Sequence, residues 1–188
     1  MMRTEKEPSL RVFFALWPDE GARGALSAWR SPLRELSGGR VMRADTLHCT
    51  LVFLGEVETY RLEALLRAAQ EVAGSVFEIE FDVARYWGHN HIVYAAPQDV
   101  PIALAELEGE LELRLRKHGF RFEARAFKPH VTLLRHAQWS DAPLPEMPVV
   151  RWVAREFVLV QSLGDERGAR YEVLARFPMV AGGSVPGR

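Results

Sequence analysis

The sequence has few of the features that mark several large classes of protein. Cys49 is its only cysteine, so an intrachain disulfide and a paired-cysteine metal site are both excluded. No apolar run approaches the ~20 residues that a membrane-spanning helix needs. The chain also does not open with the basic and then apolar segments of a secretory signal. We therefore expect a soluble cytoplasmic protein that does not contact a membrane.

A strong excess of charge of either sign is also missing. The 188 residues carry a formal net charge of −1, so nucleic acid would have to be recognised by a local patch rather than by the whole molecule. Only three of the 24 basic residues are lysines. Arginine suits phosphate oxygens better than lysine does, although genome composition explains the same bias. The glycine-rich loops that bind ATP or dinucleotides are absent, so we expect no cofactor.

What the sequence does contain is a regular succession of strand and helix patterns. Apolar or alternating segments predict strands at residues 11–17, 48–54, 77–82, 91–96, 130–135, 156–162 and 170–177, the last two as a hairpin. Leucine and alanine at helical spacing predict helices at residues 20–36, 59–73 and 101–118. The termini, residues 1–9 and 179–188, are expected to be flexible tails.

Two of the predicted strands repeat one polar pattern, LHCTL around His48 and PHVTL around His130. Side chains alternate along a strand, so His48 and Thr50 face one way, and so do His130 and Thr132. One copy in each half of the chain indicates an internal duplication with two lobes. The two motif strands are then expected to face each other across a cleft between the lobes.

Two histidines and two threonines around one cavity suit the chemistry of a phosphate ester. One imidazole can take the proton of an attacking water while the other gives a proton to the leaving oxygen. The threonine hydroxyls can donate hydrogen bonds to the other phosphate oxygens. A single copy of the motif would be explained by chance or by a structural histidine. A zinc site would need three or four ligands, and neither motif brings a carboxylate, so we expect no metal.

Other polar residues have a structural explanation beside the functional one. Cys49 is expected to face the core as a buried structural thiol, the alternative being a catalytic thiol. Asp45 could orient His48 or cap a turn. Four further histidines are weaker candidates: His89 and His91 have the spacing of metal ligands but lie in a predicted turn, His118 suits a helix end, and His136 is expected to be exposed.

Four segments together resemble the 2H phosphoesterase superfamily: RVFFALWPD, LHCTLVFLGEV, FKPHVTLLR and FVLVQSLGDERGARYEVLARF. The resemblance is to its bacterial branch, the RNA 2′,3′-cyclic phosphodiesterases, also called LigT-type 2′-5′ RNA ligases. It implies an α+β fold with a pseudo-twofold, in which two antiparallel sheets line a central cleft and the helices lie outside. It also implies one domain of two interleaved lobes over residues 10–178.

The resemblance further implies hydrolysis of RNA 2′,3′-cyclic phosphate ends to 2′-phosphates without a metal, with 2′-5′ ligation as the reverse reaction. On this sequence, His130 would be the base that activates water, and His48 the acid that protonates the leaving oxygen. Thr50 and Thr132 would hold the phosphate. The expected binding partners are therefore RNA ends or small cyclic nucleotides. We expect the protein to be a monomer and to need no protein partner.

Two further residues are candidates for binding the substrate. Arg135 matches the basic residue that the family has after its second motif. Strict alternation nevertheless places Arg135 on the opposite face from His130, so a bulge or a strand end is needed to bring it to the cleft. Phe14, on the first predicted strand, is a candidate for stacking on a base, the alternative being packing in the core.

Two other functions remain open at the level of sequence. One is a phosphodiesterase for another small substrate, such as a 2′-5′ oligonucleotide or an ADP-ribose cyclic phosphate. The other is a nucleotide- or RNA-binding module without catalysis, although the presence of both intact motifs argues against lost activity.

Overall fold

The computed structural model describes residues 7–164 and 168–182. The strands in these ranges are β1 (Ser9–Leu16), β2 (Arg40–Val41), β3 (Cys49–Glu58), β4 (Phe77–Phe81), β5 (Val83–Trp87), β6 (Ile92–Ala96), β7 (Val131–Arg135), β8 (Val150–Ala154), β9 (Glu156–Ser162) and β10 (Tyr171–Pro178). The α-helices are α1 (Glu20–Ala28), α2 (Arg30–Ser37), α3 (Leu62–Gln70) and α4 (Ile102–Lys117). Short 3₁₀ turns span Ala44–Thr46 and Thr59–Arg61.

Most of the strands form one antiparallel sheet in the order β10-β9-β1-β3-β7-β6-β5, with β2 paired to β7. The motif strands β3 and β7 are neighbours at its centre, where Cys49 lies opposite Val131. We call β1, β3, β9 and β10 the β3 arm, and β2, β5, β6 and β7 the β7 arm. The predicted α+β class is confirmed, and the two expected sheets are these two arms. The strands β4 and β8 pair separately.

The two faces of the large sheet are packed differently. On one face, buried residues of α1 to α4 pack against the strands in the main hydrophobic core, which includes the large side chains of Trp29 and Phe14. The opposite face carries two smaller apolar clusters, one on each arm. The cluster of the β3 arm is Phe13, Ala15, Val158 and Val160, and that of the β7 arm is Ile92, Tyr94 and Ala96. Because these two clusters are small, polar side chains can also lie on this second face.

The helix expected at residues 20–36 is in fact two helices. Asp19 caps α1, because its carboxylate accepts a hydrogen bond from the Ala22 amide at 2.8 Å. Pro32 has no N–H with which to continue that helix and stands instead in the first turn of α2, where proline is tolerated. Trp29 lies buried at the break and donates its Nε1–H to the Pro148 carbonyl at 3.0 Å. The continuous helix predicted across this break is therefore wrong.

The structure also contains strands that the sequence pattern did not predict. Strand β5 follows β4 after Asp82 alone, and the two strands belong to different sheets. Asp82 stabilises this turn, since its carboxylate accepts a hydrogen bond from the Gln98 amide at 2.9 Å. Strands β2 and β8 were not predicted from the sequence either.

The helices of the described residues include none with the length and apolar character of a membrane span.

The ordered chain extends beyond the limits expected for the tails. Ser9 already begins β1, and the Pro8 carbonyl accepts a hydrogen bond from the Thr59 amide at 2.9 Å. Met179 is buried, and its amide donates to the Arg155 carbonyl at 2.8 Å. Residues 1–6 and 183–188 lie outside the described residues. Part of each predicted flexible tail is therefore held by the fold.

Candidate active site

A cavity of about 270 Å³ lies where the two arms meet, on the face of the sheet that carries the smaller clusters. Its lining includes the four motif side chains, His48, Thr50, His130 and Thr132, together with Arg135. The volume is just below the ~300 Å³ at which small-ligand pockets begin, and the cavity is open to solvent on one side. The structure thus brings both copies of the motif to one place.

Both imidazoles are held in the same way. His48 Nδ1 lies 2.7 Å from the Thr46 carbonyl oxygen, and His130 Nδ1 lies 2.7 Å from the Lys128 carbonyl oxygen. A carbonyl can only accept, so Nδ1 must be the protonated nitrogen of each ring. This leaves Nε2 of both rings as the nitrogen that can take up or release a proton. Asp45 does not orient His48; it is paired with Arg43 instead.

The aromatic surroundings of the two rings differ. Trp17 stacks on His48 with ring centroids 5.3 Å apart and planes 7° from parallel. Phe13 and Tyr171 complete that wall, with centroids 5.0 and 5.1 Å from the His48 ring. His130 meets two rings at their edges instead: Trp87 at 4.7 Å and Tyr94 at 5.4 Å between centroids.

Burial among these side chains lowers the pKa of both histidines. Burial above all, together with Arg135 and the charged form of His130 nearby, lowers the pKa of His48 to about 4, although the hydrogen bond to the Thr46 carbonyl opposes this change. Burial also lowers the pKa of His130, although the hydrogen bond to Lys128 opposes this change. With both pKa values below 6.5, the neutral form of each ring predominates at pH 7. A bound phosphate would raise both pKa values, because a nearby anion favours the charged imidazolium.

A bulge brings Arg135 to the cavity, which is one of the two possibilities that the sequence left open. Along β7, Thr132 lies opposite Tyr94 but Leu134 lies opposite Val93, so Leu133 is an extra residue without its own partner. Leu133 and Leu134 are both fully buried as a result. The alternation of side chains is reversed beyond them, and Arg135 lines the cavity on the same face as His130.

The same bulge occurs in the other motif strand. Thr50 lies opposite Ala15 and Val52 opposite Phe14, so Leu51 is the extra residue of β3. Leu51 and Val52 are both buried, and Phe53 then lines the cavity with 47% of its surface exposed. Phe53 stands as far after His48 as Arg135 stands after His130. Aligning HCTLVF with HVTLLR would have found it from the sequence.

The structure contradicts the prediction that Phe14 stacks on a base. Phe14 is fully buried among core side chains, with the rings of Phe157 and Phe177 each 6.1 Å away between centroids. Its neighbour Phe13 points to the other face and lines the cavity. The error has a simple cause: β1 is covered on both faces, so adjacent phenylalanines give no sign of which one faces the cavity.

The structural explanations hold for the other candidates. Cys49 is fully buried, and burial raises the pKa of its thiol to about 12, which leaves it unreactive at neutral pH. His118 caps the end of α4 and its Nε2 lies 2.9 Å from a Glu71 carboxylate oxygen. His91 contacts the Tyr86 hydroxyl at 3.1 Å, and His136 is exposed.

Several contributors to the site carry no local signal in the sequence. Tyr171 and Ser162 reach the cavity from β10 and β9 in the C-terminal hairpin, and Trp17 follows β1. Their proximity to His48 depends on which strands pair.

As for metal ligands, within residues 7–164 and 168–182 no group of three or more histidine, cysteine, aspartate or glutamate side chains is arranged to hold an ion.

Comparison with known proteins agrees with this geometry. The family described as LigT like phosphoesterase matches the chain twice in succession, at residues 16–94 and 95–168, so that each match contains one histidine–threonine motif. Together the two matches span most of the chain. The protein therefore belongs to the LigT-like phosphoesterase family.

Individual relatives support that assignment. The chain is 32% identical to an RNA 2′,3′-cyclic phosphodiesterase of Escherichia coli (strain K12), over 90% of this chain and 96% of the relative. It is 31% identical to an RNA 2′,3′-cyclic phosphodiesterase of Thermus thermophilus, over 90% of each chain. The crystal structure of E. coli LigT complexed with 3′-AMP superposes with a TM-score of 0.82 at 30% identity, covering 92% of this chain and 99% of that one.

Proposed function

We propose that this protein hydrolyses the 2′,3′-cyclic phosphate at an RNA end to a 2′-phosphate. The observation that carries the proposal is the pair of histidines, His48 and His130, which line one cavity with their Nδ1 atoms bonded in the same way and their Nε2 atoms left to exchange protons. The activity named for the E. coli and T. thermophilus relatives supports it. So does the nucleotide bound to E. coli LigT.

The reaction needs two proton transfers. His130 Nε2 takes a proton from water as the water oxygen forms a bond to phosphorus. The bond between phosphorus and O3′ breaks, and His48 Nε2–H gives its proton to O3′. The products are a 2′-phosphate and a free 3′-hydroxyl, and one proton has passed from water to the leaving oxygen overall. Each positioned transfer typically accelerates a reaction ~10²–10⁴-fold.

The acid in this scheme must be protonated before the reaction. The pKa of His48 is about 4 in the protein alone, and the negative charge of a bound cyclic phosphate raises it. The indole face of Trp17, parallel to the ring, also stabilises the imidazolium form. In our proposal the substrate therefore charges its own acid, and the positive charge on His48 then disfavours protonation of the nearby His130, which stays neutral as the general base.

The remaining side chains hold the phosphate and the nucleobase of the substrate. Thr50 and Thr132 flank the two rings, and their hydroxyls donate to the phosphate oxygens that do not react. The guanidinium of Arg135 binds the same oxygens and stabilises the charge that develops on them. Phe53 is the exposed aromatic ring of the lining, and a nucleobase stacks on it rather than on the buried Phe14.

End-group analysis tests the reaction directly. An oligonucleotide with a 2′,3′-cyclic phosphate is incubated with the protein in excess EDTA, and the product is identified as a 2′- or 3′-phosphate. We expect only the 2′-phosphate, at a rate that EDTA does not change. His48→Asn and His130→Asn should each lower kcat by ~10²–10⁴-fold. His136→Asn is the matched control, because His136 is exposed and asparagine tolerates its backbone φ of 56°.

Three outcomes would contradict parts of the proposal. Activity close to wild type in both His48→Asn and His130→Asn would reject the paired histidines. Loss of activity in EDTA would reject metal-independent catalysis. Tight binding of AMP without turnover of any cyclic phosphate, including ADP-ribose cyclic phosphate, would favour a binding module. The expected monomeric state and cytoplasmic location stay predictions.

A further inference from the structure

Strand β2 places a second arginine beside the one that lines the cavity. Arg40 lies directly opposite Arg135 in the antiparallel pair of β2 and β7, and Val41 lies opposite Leu134. Residues directly opposite in such a pair have their Cβ atoms ~5 Å apart and point to the same face of the sheet. Arg40 and Arg135 are both exposed, so two arginine side chains leave neighbouring positions on this face of the sheet.

This arrangement costs free energy in the protein alone. Like charges directly opposite on neighbouring strands destabilise a sheet by a few tenths of a kcal/mol to ~1 kcal/mol. Within residues 7–164 and 168–182, neither Arg40 nor Arg135 has an ion pair that would offset the repulsion. By contrast, Arg67 on α3 and Arg151 on β8 are each paired with a glutamate.

The local backbone is shaped to hold β2 close to β7. Gly39 precedes Arg40 with a φ of +90°, and a Cβ atom at this position would lie 2.6 Å from the Arg135 carbonyl oxygen. Only glycine fits that conformation and that space. The register that sets Arg40 against Arg135 is therefore built into the chain rather than left to a flexible loop.

Arg40 lines a second, smaller cavity instead of the first. This cavity, of about 80 Å³, adjoins the active site, because Met42 and Thr46 line both. Arg43 lines it as well, with its charge paired to Asp45. The two cavities are thus neighbours, with Arg135 in the lining of the first and Arg40 in the lining of the second.

We propose that Arg40 binds the phosphodiester one nucleotide upstream of the cyclic phosphate, so that the preferred substrate is an oligonucleotide rather than a cyclic mononucleotide. The inference rests on the proposed function and adds a second phosphate subsite to it. Two adjacent arginines suit two consecutive phosphates of one strand, because each guanidinium can bind one phosphate through paired N–H donors. The anionic strand also removes the repulsion between the two cations.

Two substrates that differ only in the second phosphate test this subsite. One is 2′,3′-cyclic AMP, and the other is the dinucleotide ApA with a 2′,3′-cyclic phosphate, which adds one phosphodiester. For wild type we expect a KM at least tenfold lower for the dinucleotide. Arg40→Gln should raise the KM for the dinucleotide about tenfold, the effect of removing one charged hydrogen-bond donor from the second phosphate. It should leave kcat and the KM for 2′,3′-cyclic AMP within twofold.

Controls separate this role from an effect on the fold. Arg67→Gln removes an outer arginine and should change neither KM. Arg40→Lys keeps the charge without the planar group and should retain part of the preference for the dinucleotide. The logarithm of KM for the dinucleotide should also depend less steeply on the logarithm of salt concentration in Arg40→Gln. The expected decrease in slope is about 0.7 for each phosphate of a single strand that the variant no longer neutralises.

The possible results distinguish the inference from the proposed function. Equal KM values for the two substrates in wild type would overturn the second subsite and leave the hydrolase proposal intact. An equal loss on both substrates in Arg40→Gln would do the same, since Arg40 would then act at the cyclic phosphate itself. Hydrolysis of neither substrate by wild type would overturn the proposed function and the inference with it.

Discussion

The β3 arm and the β7 arm present the same motif in different surroundings. Each has a histidine bonded to the carbonyl two residues before it, a threonine two residues after it and a bulge at the next leucine. Beyond the bulge the arms differ, since one carries Phe53 and the other Arg135. The stacked indole of Trp17 is likewise confined to the β3 arm.

This difference makes the two sides of a nearly symmetric site chemically distinct. Since β3 and β7 are antiparallel and meet at Cys49 and Val131, Phe53 and Arg135 extend from the centre in opposite directions. An aromatic ring suits a base, and a guanidinium suits a phosphate. Duplicated chemistry at the centre can therefore act on a substrate whose two ends are unlike. Substitutions on each side of the site test that division.

The largest effect should come from the basic side. Replacing Arg135 with glutamine removes the donor that we propose for the reacting phosphate, and we expect kcat/KM to fall by ~10²–10³-fold. The loss should be similar for cyclic mononucleotides and oligonucleotides, because both present the cyclic phosphate. Steady-state kinetics on both substrates measures it, with Arg67→Gln as control. A loss below threefold would show that Arg135 does not bind the reacting group.

A smaller effect is expected on the aromatic side. Phe53→Ala removes the stacking surface, which is worth ~1–3 kcal/mol per base, so KM should rise by roughly 5- to 150-fold while kcat changes little. Phe53→Tyr keeps the aromatic face and should stay near wild type. If the alanine variant lowers kcat and leaves KM unchanged, Phe53 supports the fold of β3 rather than the base.

The junction between β2 and β7 can be broken through one glycine. Gly39→Ala forces a Cβ atom against the Arg135 carbonyl and should lower the free energy of unfolding by about 1–3 kcal/mol. Gly38→Ala is a close control, because Gly38 also has a positive φ, of +64°, but no atom lies within 4 Å of its added Cβ. Denaturant unfolding compares the two. Equal losses would mean that backbone conformation alone matters at this turn.

The last effect concerns stability in mild acid. Burial holds the pKa of His48 at about 4 in the folded protein, against 6.5 in an unfolded chain. Between these values the unfolded state binds more protons, so this group favours folding at pH 7 and its contribution is lost as the pH falls from ~6.5 to ~4. The slope is at most about 1.4 kcal/mol per pH unit.

His48→Asn tests this dependence because it removes the titrating group. We expect its free energy of unfolding to fall less steeply between pH 7 and pH 4.5 than that of wild type, as measured by urea unfolding at each pH. His136→Asn, at an exposed position, should follow wild type. Parallel curves for wild type and His48→Asn would contradict the assigned burial of the His48 ring.

Much of the site could be predicted because its signals are local. Alternation along a strand correctly placed Cys49 in the core, and it required either a bulge or a strand end to bring Arg135 to the cavity, of which the structure has the bulge. The prediction for Phe14 was wrong because β1 is buried on both faces, so that alternation there separates two apolar environments rather than core from solvent. The single helix predicted at residues 20–36 was wrong because its periodicity continues across Pro32, where the backbone does not.

The two motifs, their spacing along two strands and the apolar periodicity of the helices could all be predicted from the amino-acid sequence, because each depends on residues close together in the chain. The folded chain was needed to show that β3 and β7 are neighbours, that Trp17 and Tyr171 contact His48, and that Arg40 lies opposite Arg135. Those relations depend on which distant strands pair and in which register. Strand pairing is set by the packing of the whole sheet, and no short segment encodes it.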